Sequence, residues 1–208
     1  MAAADGPVVV KLGGSHAFSQ HLTAWLDALA QAAGRVVIVP GGGPFADAVR
    51  AAQPQIGFDD RAAHRMALLA MEQYACALAS LRAPFVMAHT AAGLKTSLRD
   101  GKVPVWAPSR MALRAKDVPW SWDVTSDSLA AWLAGVLRAK LLLLVKSIAP
   151  PATSTCASDL SARGVVDAAF PRFLGASGAQ AYIAGASEHA AFAVALAAGS
   201  LPGARIEP

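Results

Sequence analysis

Apolar residues follow two different rhythms along the first part of the chain. Val8–Val10 and Arg35–Pro40 contain continuous β-branched runs, which are typical of strands buried on both faces. Between them, apolar side chains recur at helical spacing until Gly34 closes the segment. The residues that share this face are Phe18, Leu22, Trp25, Leu26 and Leu29. The pattern predicts a strand, a helix and a second strand, which implies parallel strands joined by a right-handed crossover.

Strands and helices continue to alternate along the rest of the sequence. Asp59 or Asp60 can cap a long helix, in which apolar residues keep helical spacing to about Leu81. The same spacing predicts helices at Leu129–Leu137 and Glu188–Ala198. Four further strands are predicted at Phe85–Ala88, Val103–Trp106, Leu141–Val145 and Tyr182–Ala184.

Proline and glycine mark the predicted connections. Pro104 cannot donate to a strand ladder, so we expect Val103–Trp106 to lie at an edge of the sheet. Loops are expected at His89–Gly93, around Arg99–Lys102, and over residues 150–155, where prolines and hydroxyl residues cluster.

The first two strands both end in glycine. Val10-Lys11-Leu12 runs into Gly13-Gly14-Ser15, and the second strand runs into Gly41-Gly42-Gly43-Pro44. Glycine lets a ligand approach the main chain, and clustered backbone N–H groups can cradle phosphate. Because open α/β sheets bind ligands at the carboxyl ends of their strands, we expect an anion site here, with Lys11 supplying charge. The plain alternative is a strand with one lysine and a tight turn.

A second polar cluster precedes the helix at Leu129–Leu137. Thr125 or Ser126 can cap this helix, and Asp127 lies in its first turn, beside the stretch from Trp120 to Asp123. An acid at a helix start has an ordinary explanation in the helix dipole, so capping alone is the alternative to a functional Asp127. Lys146 ends the strand Leu141–Val145 and is therefore expected at the same sheet edge as Lys11.

The second glycine loop also fits a different class of protein. Gly41-x-Gly43-x-x-Ala46 matches the dinucleotide fingerprint, with Asp59 or Asp60 at a suitable distance. That fingerprint normally follows the first strand of its fold, whereas here a strand with its own glycine turn comes earlier. A nicotinamide or flavin enzyme is therefore the lesser hypothesis. The phosphate-loop pattern G-x-x-x-x-G-K-[ST] is absent from the sequence.

Composition narrows the classes of function. The chain has 208 residues, 55% of them hydrophobic and 15% charged, so we expect a sizeable core. Its formal net charge of +4 is scattered, which favours small anionic substrates over nucleic acid. No apolar run reaches membrane-spanning length, so no membrane partner is expected. Residues 1–6 lack a signal-peptide pattern and the two cysteines form no Cys-x-x-Cys pair, so we expect a cytoplasmic protein with reduced thiols.

Four motifs, taken in order, resemble those of the amino acid kinase family, which includes acetylglutamate, aspartate, uridylate and carbamate kinases. They are Val10–Ser15, Val39–Pro44, Thr125–Ala130 and the late strand that ends at Lys146. The resemblance implies a carbamate-kinase-like α/β fold, a three-layer αβα sandwich with a mostly parallel central sheet, formed by residues 1–208 as one domain. It implies that about 1–122 binds the acceptor and about 123–208 binds the nucleotide. It further implies ATP, Mg²⁺ and assembly as a homo-oligomer.

The resemblance also suggests what individual residues do. Lys11, Asp127 and Lys146 would be catalytic, with Asp127 orienting the lysines or helping to hold Mg²⁺; no residue is assigned as a metal ligand outright. The residues expected to bind phosphate are Gly13, Gly14, Ser15, Gly41, Gly42 and Gly43. The residues expected to bind the acceptor are Arg50, His64, Arg65, Trp122 and Asp123, and those expected to bind the nucleotide are Thr125, Ser126 and Ser147.

One branch of the family fits further stretches of the chain. Ala63–Ala75, Ser121–Ser128 and Val166-Asp167 before Phe170-Pro171 are similar to kinases that act on an aminomethylfuran methyl phosphate in methanofuran-type cofactor biosynthesis. This branch implies transfer of the ATP γ-phosphate to a phosphate monoester, which gives a diphosphate. The alternatives are an amino acid or uridylate kinase of the same family, or a protein of this fold that binds a nucleotide or oxyanion without turnover.

An aminomethyl acceptor would need two kinds of recognition. We hypothesise that Asp123 with a neighbouring tryptophan binds the ammonium group, while Arg65 or Arg50 and the glycine N–H groups bind the phosphate. The alternative is that Trp120 and Trp122 belong to the core.

The chain also departs from the family pattern. Ser147-Ile148-Ala149 replaces the usual Asp-Gly-Val-Tyr after Lys146, and no lysine follows Lys146. Any second cation must therefore be Lys146, an arginine or Mg²⁺.

Overall fold

Strands and helices follow one another over nearly the whole described chain. The computed structural model describes residues 6–149 and 153–208. The strands are β1 (Val8–Leu12), β2 (Val36–Pro40), β3 (Phe85–Ala88), β4 (Val103–Trp106), β5 (Leu141–Val145), β6 (Thr155–Cys156), β7 (Gln180–Ala184) and β8 (Ala204–Glu207). The helices are α1 (Leu22–Gln31), α2 (Gly43–Ile56), α3 (Asp60–Ser80), α4 (Ala91–Arg99), α5 (Ser109–Ala112), α6 (Ser126–Leu137), α7 (Ala157–Ala162), α8 (Phe170–Ser177) and α9 (His189–Ala197). A 3₁₀ turn at Gly14–His16 follows β1.

The described strands form one sheet in the order β3-β4-β2-β1-β5-β7-β8-β6. All neighbours run parallel except β7 and β8, which are antiparallel. β1 therefore lies inside the sheet between β2 and β5, and Lys11 is in register with Val39 on one side and Leu144 on the other. The predicted parallel pairing of the first two strands is confirmed.

Successive residues of β1 face opposite sides of the sheet. Val9 belongs to a core that includes α4, α6, α7 and α8, whereas Val8, Val10 and Leu12 belong to a core that includes α1 and α9. Helices thus cover both faces, which confirms the expected three-layer αβα sandwich. Lys11 follows Val9 by two residues and therefore shares the face that α6 covers.

Two helices differ from the sequence prediction. Phe18 is 88% exposed and lies outside α1, because the 3₁₀ turn and the turns after it occupy the chain up to Leu22. The segment expected to be a loop at His89–Gly93 contains the start of α4. The Thr90 hydroxyl accepts a hydrogen bond from the Gly93 N–H at 3.0 Å, which caps that helix.

The expected edge position of Val103–Trp106 is wrong. This strand, β4, lies between β3 and β2, and β3 is the edge strand. Val103 N and Ala107 N donate to the β3 side, so the missing N–H of Pro104 falls on the β2 side. Only one residue pair, Ile38 with Val105, joins β4 to β2 in the described ladder, so the proline is tolerated where pairing is sparse.

The last third of the chain holds elements that the pattern did not predict. Thr155–Cys156 forms β6 within the expected loop, followed by α7, and Ala204–Glu207 forms β8. Of the loop expected over residues 150–155, residues 150–152 lie outside the described residues. The predicted helices in α3, α6 and α9, and the strands β3, β5 and β7, are found close to their expected bounds.

No helix in the described part of the chain is long and apolar enough to cross a membrane.

Candidate active site

The carboxyl ends of the three adjacent strands β2, β1 and β5 form the site. The loop after β1 and the loop after β2 lie against each other, and Gly41 N donates to Leu12 O at 2.8 Å. A Cβ atom on Gly14 would overlap the backbone nitrogen of Gly43, and one on Gly41 would overlap that of Gly14. Gly43 also has a φ of 56°, in the left-handed region. Glycine is therefore required here for two main chains to meet, which gathers their N–H groups at one edge.

Two lysines and one aspartate meet beside these loops. Lys11 Nζ lies 2.9 Å from Asp127 Oδ1, and Lys146 Nζ lies 2.6 Å from Asp127 Oδ2. The side chains are 6% exposed for Lys11 and Asp127, and 14% for Lys146. One carboxylate thus fixes two ammonium groups while both retain further donors.

Burial and charge act in opposite directions on this cluster. Burial alone would raise the pKa of Asp127, but the adjacent ammonium groups of Lys11 and Lys146 outweigh it and hold that pKa below its usual value. Burial, aided by the positive charge of Lys11, lowers the pKa of Lys146 to about 8, against the attraction of Asp127. The cluster carries a net positive charge near neutral pH, which suits it to an anion.

A remote aspartate fixes the start of α6, where Asp127 lies. The Asp167 carboxylate accepts hydrogen bonds from Thr125 N at 2.9 Å, Thr125 Oγ1 at 2.7 Å and Ser128 N at 3.0 Å. It also accepts one from the Ser128 hydroxyl. The expected cap by Thr125 or Ser126 is thus made by Asp167 instead: Thr125 occupies the N-cap position, but its side chain makes no cap hydrogen bond. Sequence reasoning noted Asp167 only as part of a motif and missed this contact, because the partners lie 42 and 39 residues apart in the chain.

His16 is a second residue that the sequence analysis missed. It is fully buried in the 3₁₀ turn Gly14–His16, where the backbone of Val145 and Lys146 faces its ring. Burial, reinforced by the positive charge of Lys11, lowers its pKa. A neutral His16 adds no third positive charge next to the two lysines.

A cleft of about 310 Å³ opens over the cluster. Most of the residues expected at the site line it, namely Lys11, Gly13, Gly14, Ser15, Gly41, Gly42, Gly43, Arg50, His64, Trp122, Thr125, Ser126, Asp127 and Lys146. Arg65, Asp123 and Ser147 are exposed and do not line the cleft. The structure therefore brings together the expected catalytic and phosphate-binding residues but not all of those expected to bind acceptor or nucleotide.

The wall formed by α2 is tied to the segment before α6. The Arg50 guanidinium lies 4.7 Å from the centre of the Trp122 ring and pairs with Asp47 at 2.9 Å. The Trp122 indole N–H donates to Gln53 Oε1 at 2.7 Å. Trp122 is half-buried against α2, so it forms a wall of the cleft rather than part of the core.

Asp127 is the one carboxylate of the lysine cluster that Mg²⁺ could contact. Within residues 6–149 and 153–208, no three His, Cys, Asp or Glu side chains gather closely enough to hold a metal ion. Both oxygens of Asp127, the one acid in the cluster, already face ammonium groups. The geometry favours the first of the two roles considered for Asp127, the orientation of the lysines.

Comparisons with known proteins identify the family of the chain. Residues 6–149 match the model of the amino acid kinase family. A curated relative, [5-(aminomethyl)furan-3-yl]methyl phosphate kinase of Methanocaldococcus jannaschii, is 26% identical over 143 residues, which cover 67% of this chain. The match spans 65% of that relative's own length.

Solved structures of similar fold include three uridylate kinases. The Archaeoglobus fulgidus enzyme gives a TM-score of 0.71 at 17% identity and covers 97% of this chain and 100% of its own. UMP kinase from Bacillus anthracis gives 0.71 at 14% identity, with 97% and 96% covered. UMP kinase from Ureaplasma parvum gives 0.67 at 13% identity, with 98% and 100% covered. At these identities the likeness concerns the fold.

Proposed function

Because the chain belongs to the amino acid kinase family, we propose that it is an ATP-dependent phosphotransferase acting on a small phosphate monoester. The observation that carries the proposal is the pair of lysines held on Asp127 beside the two glycine loops. Phosphoryl transfer requires a protein mainly to position the reactants and to stabilise charge. Two ammonium groups and a cluster of backbone N–H donors supply both.

In the proposed reaction, an oxygen of the acceptor phosphate attacks the γ-phosphorus of ATP. The bond from that phosphorus to the β–γ bridging oxygen breaks, so a diphosphate forms and ADP leaves. Lys11 contacts the oxygens of the transferring phosphoryl group. Lys146, which pairs with the other carboxylate oxygen of Asp127, contacts the phosphates on that side. Asp127 holds both ammonium groups in place before the substrates arrive, so less reorganisation is needed in the transition state.

Mg²⁺ belongs to the proposal as a companion of ATP. The metal would be held largely by phosphate oxygens and would neutralise part of their charge. The second cation that the sequence left open is then Lys146, which faces the same carboxylate as Lys11.

The two halves of the chain divide the substrates in this proposal. The cleft side formed by α2 and α3, within about 1–122, would bind the acceptor, and the part from about 123 onward would bind the nucleotide. Arg50, Leu68 and Met71 give the acceptor side one cation and an apolar floor, which suits a small phosphorylated ring. Since ATP is the donor, we place the reaction in the cytoplasm.

The relative from M. jannaschii suggests the acceptor. We propose [5-(aminomethyl)furan-3-yl]methyl phosphate, whose phosphorylation gives a diphosphate for a methanofuran-type cofactor. Its phosphate carries close to two negative charges near neutral pH, which fits the lysines and the glycine loops.

An acceptor comparison tests the proposal. The protein is incubated with ATP, Mg²⁺ and, separately, the furan phosphate, glutamate, acetylglutamate or uridylate, and ADP release is measured. We expect turnover with the furan phosphate to exceed that with the others by at least tenfold. Preference for glutamate or uridylate would overturn the acceptor while keeping a kinase. Nucleotide binding without turnover on any acceptor would overturn the catalytic proposal.

A further inference from the structure

One histidine lines the cleft on its acceptor side. His64 lies on α3, is 3% exposed, and shares a helix face with Ala67, Leu68 and Met71, which also line the cleft. These residues are spaced by three and four positions, so the face is continuous. His64 is the one polar member of it.

The hydrogen-bond partner of His64 determines its tautomer. Nδ1 lies 3.3 Å from the carbonyl oxygen of Ser121, and a carbonyl can only accept, so Nδ1 carries the hydrogen. Burial lowers the pKa of His64, although the Ser121 carbonyl opposes this, so the ring is neutral near pH 7. Nε2 is therefore a lone-pair acceptor.

Nε2 of His64 has no hydrogen-bond partner in the described part of the protein. Nε2 is buried and makes no hydrogen bond there, and His64 is one of the residues that line the cleft. The ring is also held in place, since it stacks on Trp120 with the ring centres 6.2 Å apart and the planes at 17°. A hydrogen-bond acceptor that is held in place beside a cleft and has no partner indicates that the ligand carries a hydrogen-bond donor.

The helix pair α2 and α3 shows where the hydrogen-bond donor of the ligand would lie. A Cβ atom on Gly43 would lie 3.6 Å from the Tyr74 ring, so the glycine loop meets α3 near Tyr74. His64 precedes Tyr74 by ten residues, or roughly 15 Å of helix. Trp122 contacts α2 at Arg50 and Gln53, which lie in the same distant half of the helix pair. His64 thus lies toward the end of the cleft that is away from the glycine loops.

We propose that Nε2 of His64 accepts a hydrogen bond from an amine N–H of the acceptor and so selects phosphate monoesters that carry an amino group at their far end. This inference rests on the proposed function and adds the residue that recognises the second group. It differs from the hypothesis drawn from the sequence, which gave the ammonium to Asp123. That carboxylate is exposed, accepts a hydrogen bond from the Ser121 hydroxyl at 3.3 Å, and does not line the cleft.

Calorimetric binding of two ligands to the full chain tests this selection. One ligand is [5-(aminomethyl)furan-3-yl]methyl phosphate and the other is the analogue in which a methyl group replaces the aminomethyl group. We expect the wild type to bind the amine about tenfold to a hundredfold more tightly, as for a hydrogen bond with a charged group.

Two variants remove the acceptor nitrogen in different ways. His64→Phe keeps a planar ring against Trp120, and His64→Asn keeps an N–H donor near Nδ1 but leaves nothing at Nε2. In both variants we expect the preference for the amine to fall at least fivefold, with the KM for ATP unchanged. His89→Phe, at an exposed position outside the cleft, is the matched control and should keep the wild-type preference. Thermal melts confirm that each variant is folded.

Several outcomes would overturn the inference. If the wild type phosphorylates the furan phosphate but both His64 variants keep the full preference, the inference fails and the proposed function stands. The same holds if Asp123→Asn abolishes the preference while the His64 variants do not. If the wild type neither binds nor phosphorylates either ligand, the proposed acceptor and the inference fail together.

Discussion

The charge balance of the site depends on three residues far apart in the chain. Lys11 and Lys146 share the carboxylate of Asp127, and all three side chains are largely buried. Removal of one lysine leaves the other to pair with the acid, so no uncompensated buried charge remains. Variants of a single lysine can therefore separate catalysis from folding.

Lys11→Ala should reduce turnover by roughly a hundredfold or more, as for loss of one donor that stabilises transition-state charge. Steady-state ADP release with the preferred acceptor measures the effect, and circular dichroism should show an intact fold. Lys95→Ala, at an exposed position of α4, is the matched control and should retain wild-type turnover. A fully active Lys11→Ala protein would refute the assignment of Lys11 to the transferring phosphoryl group.

Loss of the Lys146 proton should lower the rate of the reaction at alkaline pH. Its pKa of about 8 means that the ammonium form loses its proton as the pH rises through 8, which removes a positive charge that the phosphates need. The kcat/KM for ATP, which reports the free enzyme, should fall toward tenfold per pH unit above that value.

Bound phosphates favour the ammonium form, so kcat should hold to a higher pH than kcat/KM. Lys146→Arg should remove the alkaline decrease in kcat/KM, because a guanidinium keeps its charge throughout this range. A pH profile that is the same in the wild type and the arginine variant would show that another group causes the decrease.

At the residue scale, the sequence was sufficient to identify site residues that belong to local motifs. Lys11, Asp127 and Lys146 each stand next to a strand end or helix start that the pattern marks, and the structure places all three at one cleft. The Asp167 contact and the tautomer of His64 depend on atoms 40 or more residues away in the chain. No local pattern could show them.

At the scale of elements, the two glycine loops act as one packed unit. Gly14→Ala should lower the free energy of unfolding by about 1–3 kcal/mol, because its Cβ would overlap the main chain of the second loop. Turnover should fall as well, since the N–H groups move apart. Urea denaturation and the kinase assay measure the two effects.

Gly175 provides the control for this substitution. It lies inside α8, and a Cβ atom there would meet nothing within 4 Å. Gly175→Ala should therefore stabilise the protein by ~0.5–1 kcal/mol, as alanine does in a helix. If Gly14→Ala proved as harmless as Gly175→Ala, the close approach of the loops would not be essential.

The start of α6 depends on the carboxylate of Asp167, which lies 42 residues after Thr125 in the chain. Asp167→Asn replaces two acceptor oxygens by one and turns an N–H group toward the donors of Thr125 and Ser128. The free energy of unfolding should fall by about 1–2 kcal/mol. The kcat should also fall, because Asp127 lies in that first turn.

Asp100→Asn, at an exposed position after α4, should change neither quantity. If Asp167→Asn destabilised the protein but left kcat at the wild-type value, the cap would be purely structural and would not position Asp127.

Elements that the sequence predicted well are those with strong internal periodicity. The buried strands β1, β2 and β5 and the long helix α3 fall where their apolar patterns indicate. α4 was missed because a single capping hydroxyl and Leu94 mark it. β6 was missed because it has only two residues, and β8 because only Ala204 and Ile206 of its four residues are apolar. β4 lies between β3 and β2, although its proline had predicted a position at the edge of the sheet.

At the scale of the whole molecule, we predict that the chain forms a homo-oligomer. Several large apolar side chains remain exposed, among them Phe18 at 88%, Ile56 at 74% and Val194 at 74%. Light scattering on the full chain at micromolar concentration should give a mass of at least two copies. A monomeric mass would contradict the prediction.

The central position of β1 also has a consequence for how the protein is made. Its two neighbours are β2, which follows within 40 residues, and β5, which begins only at Leu141. At about 5–20 residues per second, a ribosome needs roughly 6–30 s to deliver β5 after β1 has emerged. During that interval the nascent chain presents an unpaired apolar strand edge, the kind of surface on which chains aggregate and chaperones act. Among the described strands, the one that carries Lys11 thus waits longest for its second neighbour.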